Sequence, residues 1–529
     1  MPRFLSKLRA VSTQQRHRVF RGSGARFLSV GYSIRPAADT EDVDRGEEKV
    51  MDKQEKGQSQ HLPTLDVPLE GMPDLVPASD LKAPETEMTT LSNGLRVVSQ
   101  ETYGQCTTVA LLVNAGSRFE ADAAQQGSTH VMEAMAFKST TNRSHAEVVR
   151  EFEDLGVFPS CVSAREEILY TIDVMRDRVE SAVEIFADAV CNPLFDESEV
   201  SEAKEIMGYI LEDIYSESPA QLVTEELVCA AFGRDTPVGR PMMCDFESLP
   251  GVSPEGLKGF VDAHFSAENM ILSVAGLEHK DAVAIAEKYF GAVPRNSSVP
   301  GIEGVRASQL QPGSYVGGQT LKSVENLPFT HVALAFDAGG WHGDDLVPVC
   351  VLHSLLGGGD SFSAGGPGKG MYSRLYRQVL NQYAWVESIL GTSVMHGDCG
   401  ITGMVGSSEG HFSANMLAVM CYQLKALATN PVEHIELSRA RNRLKSSVLM
   451  SLESRMLLAE DMARQVATYG FRESPGLLME RIEKVTAEDL VRVANRAINS
   501  KPTIVAYGDI SKIPPNVSEL VEATLQADA

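Results

Sequence analysis

TTVALLVNAG, residues 107–116, recurs as THVALAFDAG, residues 330–339, an offset of 223 positions. The first copy, extended to CTTVALLVNAGS (106–117), reads as a buried strand: a short, β-branched, apolar run that ends in small residues. Two further pairs keep the same order along the chain. EVSEA (199–203) matches ELSRA (436–440) at offset 237, and SPEGL (253–257) matches TAEDL (486–490) at offset 233. Three ordered matches at such similar offsets predict an α+β chain built by internal duplication of an α/β unit of about 230 residues. Pro300, Pro312 and several glycines mark a linker over 297–318. The folded units are therefore expected at 62–296 and 319–529.

The 529 residues would accommodate about two to four domains, and a 43% hydrophobic content suffices for ordinary cores. No apolar run approaches the ~18 residues of a membrane span, so there is no expected transmembrane segment and membrane association would be peripheral. Eight scattered cysteines without a CxxC pair argue for a reducing compartment, without a disulfide framework or a cysteine zinc site. The net charge is −24, yet residues 1–38 carry eight Lys/Arg and no acid, which leaves 39 basic against 71 acidic residues in the remainder. An acidic body of this kind disfavours nucleic acid and favours cationic partners. Residues 1–38 are Arg-rich and Ser-containing, with Phe4, Leu8 and Val11 on one helical face, and have the composition of a mitochondrial transit peptide. Residues 39–61 are charged and poor in large apolar side chains, so a disordered linker is expected there. MTTLSNGLRVVSQ (88–100) reads as a hairpin turning at Asn93-Gly94.

GGGDSFSAGGPGKG (357–370) holds seven glycines in fourteen positions. Ordering them costs more backbone entropy than ordering other residues, so their clustering points to mobility or close backbone approach. A phosphate-binding P-loop is excluded: Ser363 occupies the first glycine position of the motif, and Lys369 is followed by Gly370 instead of Ser or Thr. An apolar run (347–356) precedes the stretch, and MYSRLYRQVL (371–380) follows with Met371, Leu375 and Val379 at helical spacing. A loop held between two packed elements is more often a binding loop than a tether.

The repeat places His353, just before the glycines, opposite His130. His130-Val-Met-Glu133-Ala134 is one residue short of the inverted-zincin motif HxxEH, in which two histidines share a helical face and the glutamate is the general base. Ala134 offers no lone pair. Even with a distant carboxylate such as Glu212, His130 belongs to a set too small for a catalytic zinc, and the spacing does not favour recruiting His145. No catalytic residue and no metal ligand are expected in this chain.

The hairpin, VNAGSRFE, the degenerate HVMEAMAFKST, GGGDSFSAGGPGKGMYSRLY, ARNRLKSSVLMSLESR (440–455) and KPTIVAYGD (501–509) together resemble the pitrilysin-type peptidases, and among them the alpha subunits of the mitochondrial processing peptidase. The likeness spans about residues 62–515. It implies two homologous α/β sandwich domains of the LuxS-like metallohydrolase type, in a subunit that does not cut. The zinc and the intact motif would lie in a beta subunit, with no cofactor in this chain. The glycine-rich segment would capture cationic precursor presequences through Gly357, Gly358, Gly359, Ser361, Phe362, Gly365, Gly366, Gly368, Lys369 and Gly370. Asp360 adds a negative charge there, and Tyr372 is open to either an apolar contact or a core role. The implied location is the mitochondrial matrix, or its side of the inner membrane. The alternative reading from the same resemblance is a structural core subunit of respiratory complex III, either alone or combined with processing.

Overall fold

The computed structural model describes residues 84–120, 125–295, 312–361 and 370–526. The expected transit peptide, the whole charged linker (39–61) and most of the 297–318 connection lie outside them. The first half runs β1 (Thr86–Thr90), β2 (Arg96–Gln100), β3 (Cys106–Val113), α1 (Ser128–Met135), α2 (His145–Leu155), β4 (Phe158–Ser163), β5 (Ile168–Met175), α3 (Val179–Cys191), α4 (Glu197–Glu217), α5 (Pro219–Phe232), α6 (Pro254–His264), β6 (Met270–Ala275) and α7 (His279–Phe290). The second runs β7 (Gly318–Ser323), β8 (Thr330–Asp337), α8 (Leu346–Leu356), β9 (Gly358–Asp360), a π-helical turn (Tyr376–Leu380), β10 (Val386–Met395), β11 (Gly400–Ser408), α9 (Ser413–Thr429), α10 (His434–Leu452), α11 (Arg455–Tyr469), α12 (Pro475–Lys484), α13 (Ala487–Asn499), β12 (Thr503–Gly508) and α14 (Val517–Gln526).

The two six-stranded sheets repeat one topology. Their orders are β1-β2-β6-β3-β5-β4 and β7-β12-β8-β11-β10-β9. Without the edge strands β1 and β9, the five remaining strands correspond one to one. Each set has a parallel pair, β2 with β6 and β7 with β12, and antiparallel pairing elsewhere. The repeated decapeptides lie on β3 and β8 in equivalent places. SPEGL and TAEDL begin α6 and α13, where Ser253 and Thr486 accept the N–H groups of Gly256 and Asp489 at 3.2 Å as N-caps. The hairpin closes β1 on β2 through Asn93-Gly94, with Gly94 at a positive φ of 96° that suits glycine.

Both central strands are buried on two faces, which explains their unbroken apolar runs. Val109, Leu111 and Val113 face a core closed by the first half's own helices, and Val332, Leu334 and Phe336 face the corresponding core of the second half. The opposite faces are covered by exchange. Helix α5 lays Val223, Leu227, Val228 and Phe232 against Ala333 and Ala335 of the second sheet. Helix α11 lays Leu458, Met462, Ala463 and Val466 against Ala110 and Leu112 of the first. Alanines on these faces let the visiting helix approach closely. The sequence predicts the two halves but not this interlock, because the side chains of α5 and α11 carry no sign of which sheet they will meet.

Buried ions reinforce the interlock. Arg118 of the first half makes two 2.8 Å contacts with Asp398 of the second and a third, also at 2.8 Å, with Glu166. Glu166 in turn accepts the Gly397 N–H at 3.0 Å. Arg464 on α11 pairs with Glu167 and Glu460.

Candidate functional site

Helix α1 carries the degenerate motif. It is held at its N-terminus by Glu120, whose carboxylate accepts the N–H groups of Gly127 and Thr129 at 3.0 Å and the Thr129 hydroxyl at 2.8 Å. Burial raises the Glu120 pKa, against the pull of those hydrogen bonds and of Arg240.

His130 is committed to a protein partner. Its Nδ1 accepts the Cys244 N–H at 3.2 Å and lies 3.0 Å from Cys244 Sγ, which leaves the ring proton on Nε2. Burial lowers the His130 pKa, against the nearby charges of Glu133 and Glu225. The Cys244 thiol is pushed up to about 12, chiefly by burial. The Glu133 carboxylate accepts both the N–H and the hydroxyl of Ser163, at 2.7 and 2.8 Å. It ties α1 to β4 and is not poised as a base. Ala134 packs against the first core.

The carboxylate expected from α4 is not delivered. The inward stripe of this helix is Val200, Ala203, Met207 and Leu211, so an apolar leucine holds the position one turn beyond Met207. Glu212 is exposed and lines a cleft. The His145 ring bonds the Phe137 carbonyl at 3.3 Å. Among the described residues no group of three or more potential ligands converges. The residues present do not fit a catalytic zinc.

The pseudo-symmetric place in the second half is α8. His353 there is buried, 3.4 Å from the Ser393 hydroxyl, and Leu356, opposite Glu133, is buried in the second core. Directly after this helix the structure corrects the expected loop boundary. Gly358–Asp360 are not loop but β9, paired with Ser388–Leu390 of β10. Sequence propensity gave no warning, since glycine is depleted in strands. Glycine is nonetheless required: Gly358 has φ +111°, and a Cβ there would lie 2.0 Å from the Ile389 carbonyl oxygen.

The two feet of the segment close on a single guanidinium. A Cβ on Gly357 (φ +55°) would lie 2.4 Å from Ser373 Cβ and 2.5 Å from Arg443 Nη1, and one on Gly370 (φ +77°) would lie 3.0 Å from the same group. Burial lowers the Arg443 pKa. The Ser373 hydroxyl accepts the Gly358 N–H at 3.1 Å. Ser361 donates its N–H to Glu387 O at 2.8 Å, with its hydroxyl 3.0 Å from the Glu387 carboxylate. Phe362, Gly365, Gly366, Gly368 and Lys369 lie outside the described residues. Tyr372 is 70% exposed with Arg439 over its ring, which removes its core role. Leu375 and Val379 are buried, and the helix expected over 371–380 contracts to the π-helical turn and the two residues before it. Arg443 went unrecognised as the pillar of this segment, because one arginine on an amphipathic helix carries no distinguishing pattern.

Residues 96–246 match the family described as insulinase, peptidase family M16, and residues 251–444 match the peptidase M16 inactive domain. The chain is 36% identical over 468 residues to a probable mitochondrial-processing peptidase subunit alpha-1 of Arabidopsis thaliana, covering 86% of this chain and 88% of that protein. It is 34% identical over 508 residues to the mitochondrial-processing peptidase subunit alpha of Neurospora crassa, covering 83% and 87%. For the Homo sapiens subunit alpha the identity is 33% over 465 residues, covering 85% and 87%. With its two repeated halves, its dismantled HxxEH helix and these relatives, the chain belongs to the M16 peptidase family, among the alpha subunits of mitochondrial-processing peptidases.

Proposed function

We propose that this chain works in the mitochondrial matrix as the non-catalytic partner of a zinc-bearing beta subunit, binding cationic presequences and presenting them for cleavage. The observation that carries the reading is the contrast between the two pseudo-equivalent helices. On α1 the catalytic set is disarmed, with His130 and Glu133 bound to Cys244 and Ser163. After α8 a glycine-rich segment is held at both feet by β9, Ser373 and Arg443.

Glycine backbone groups suit a handler of diverse precursors, because they contact a peptide without reading its side chains. In this reading Gly357–Gly359, Ser361 and Gly370 anchor the segment. Phe362, Gly365, Gly366, Gly368 and Lys369 supply the surface that meets the peptide, and the acidic body concentrates cationic chains near it. Deleting Gly365–Gly370 is expected to slow precursor processing by the reconstituted heterodimer while leaving assembly intact. Unchanged processing would refute the role of the segment.

A further inference from the structure

The turn between β10 and β11 carries His396 into the seam between the two halves. Its backbone is held on both sides: the His396 N–H donates to Cys399 O at 2.7 Å, and the Trp341 N–H donates to His396 O at 2.9 Å. The ring stands edge-on to Phe232 of α5, with ring centres 6.4 Å apart, and the residue is only 7% exposed. Among the described residues its Nε2 is buried and has no hydrogen-bond partner. A buried polar atom left unpaired is costly, and a phenylalanine in the same place would avoid that cost.

Charged groups from both halves face the ring. Arg118 comes from the turn after β3, Arg165 and Glu166 from the β4–β5 turn, and Asp398 from the turn that carries His396 itself. All four are already paired, Arg118 with Glu166 and Asp398, and Arg165 with Glu225. Glu166 also accepts the Gly397 N–H at 3.0 Å, and Asp398 the Gly313 N–H at 2.8 Å. Burial pushes the Cys399 thiol up, so it adds no charge. The two carboxylates and the two guanidiniums pull the ring in opposite directions, and burial decides the outcome: His396 is pushed down to about 4.

In the protonated ring Nε2 is a charged donor. It gains an acceptor only if Glu166 or Asp398 swings away from Arg118 and from its backbone N–H, or if water enters the seam. Either rearrangement undoes the bonds between the 396–399 turn and the first half. We propose that His396 makes this seam an acid-sensitive clasp: a proton on its ring breaks up the Arg118–Glu166–Asp398 network and releases the 396–399 turn from the first half. The halves then keep only their apolar cover from α5 and α11. The direction follows from linkage. An opened ring takes up a proton below its ordinary 6.5 and the closed one resists to about 4, so the clasp is at full strength above 6.5 and weakens as pH falls from there toward 4.

The test compares the full-length chain with its His396→Phe variant, which keeps a flat ring against Phe232 and removes the titration. Hydrogen exchange at residues 164–167, 313–317 and 396–399 gives the opening constant of the seam. The ratio of wild type to variant should be flat above about pH 7.5 and rise by close to tenfold per pH unit between about 6 and 5. His331, which burial also pushes down to about 4, titrates in both proteins and drops out of the ratio. In carbon-13 histidine spectra, the resonance missing from the variant should remain that of a neutral ring at pH 5.5 in wild type.

Parallel pH profiles of the two proteins would overturn the proposal. So would a His396 resonance that titrates near 6.5 while exchange at the seam is unchanged. A pH-dependent difference spread evenly over the chain, β3 included, would do the same, by making the effect global instead of local to the clasp. If phenylalanine crowds the seam and prevents folding, His396→Leu provides the same comparison.

Discussion

Replacing Gly358 by alanine should unseat β9. At φ +111° the backbone is in a region that L residues rarely adopt, which costs about 1–3 kcal/mol. The added Cβ would meet the Ile389 carbonyl oxygen at 2.0 Å, and the Ile389 carbonyl carbon and Leu390 Cα at 2.9 Å. All three are backbone atoms, so no rotamer change relieves the clash, and β9 must leave β10. The pairing of Gly358, Gly359 and Asp360 with Leu390, Ile389 and Ser388 is then lost, at about 0.5–1.5 kcal/mol per hydrogen bond. A total of about 2–4 kcal/mol follows. Gly359→Ala is the matched control. Its φ is not positive, and its new Cβ would make ordinary contact with Tyr376 ring carbons at 3.5 and 3.6 Å. That change should stay within about 0.5 kcal/mol. Urea unfolding gives the stability difference, and hydrogen exchange at residues 388–391 localises it. Equal stability of the two variants, or unaltered exchange along β10, would refute the reasoning.

Arg118→Ala should cost about 3 kcal/mol in chemical unfolding, because it takes the shared cation away from Glu166 and Asp398 at the contact between halves and leaves each carboxylate only its backbone N–H bonds and whatever weaker contacts remain. Asp398→Asn should destabilise in a pH-dependent way. Asp398 is held well below its usual 3.8 by the Arg118 and Gly313 N–H hydrogen bonds and the Arg118 charge, which outweigh burial. Its stabilisation is therefore present above that value and lost as pH falls through the depressed one, so unfolding curves of wild type and variant should differ most near neutrality and converge in strong acid. Residues 84–311 and 312–529 expressed separately should each be insoluble, and co-expression should restore a soluble complex, since each sheet lacks a cover without the other half. Metal analysis of the purified chain should find far less than one zinc per molecule, given Ala134, Leu211 and the engaged His130.

The duplication was legible because two of its three repeated segments occupy structurally demanding places: a doubly buried strand in β3 and β8, and a capped helix start in α6 and α13. Those places restrict residue type enough for similarity to persist. The failure of the zinc motif was legible at Ala134, a covalent fact independent of geometry. Choosing between Glu212 and its neighbour was not, because a shift of one residue turns a helical side chain by about 100°, and only the packed stripe through Met207 shows that Leu211 faces inward. The strand character of Gly358–Asp360 was hidden for a related reason. It depends on the β10 backbone some thirty residues away, and glycine offers no side chain from which to read that contact.

The exchange of α5 and α11 also dictates an order of events at synthesis. The outer face of the first sheet, laid down by residue 275, has no cover until residues 455–469 arrive. For nearly two hundred residues of elongation, or of threading through any narrow passage, Ala110, Leu112 and Ile271 are left facing solvent. Contacts so distant along the chain make for slow folding and a long aggregation-prone interval. That face therefore gains its intramolecular cover only once residues 455–469 are free, and the first half gains no lasting advantage from emerging first.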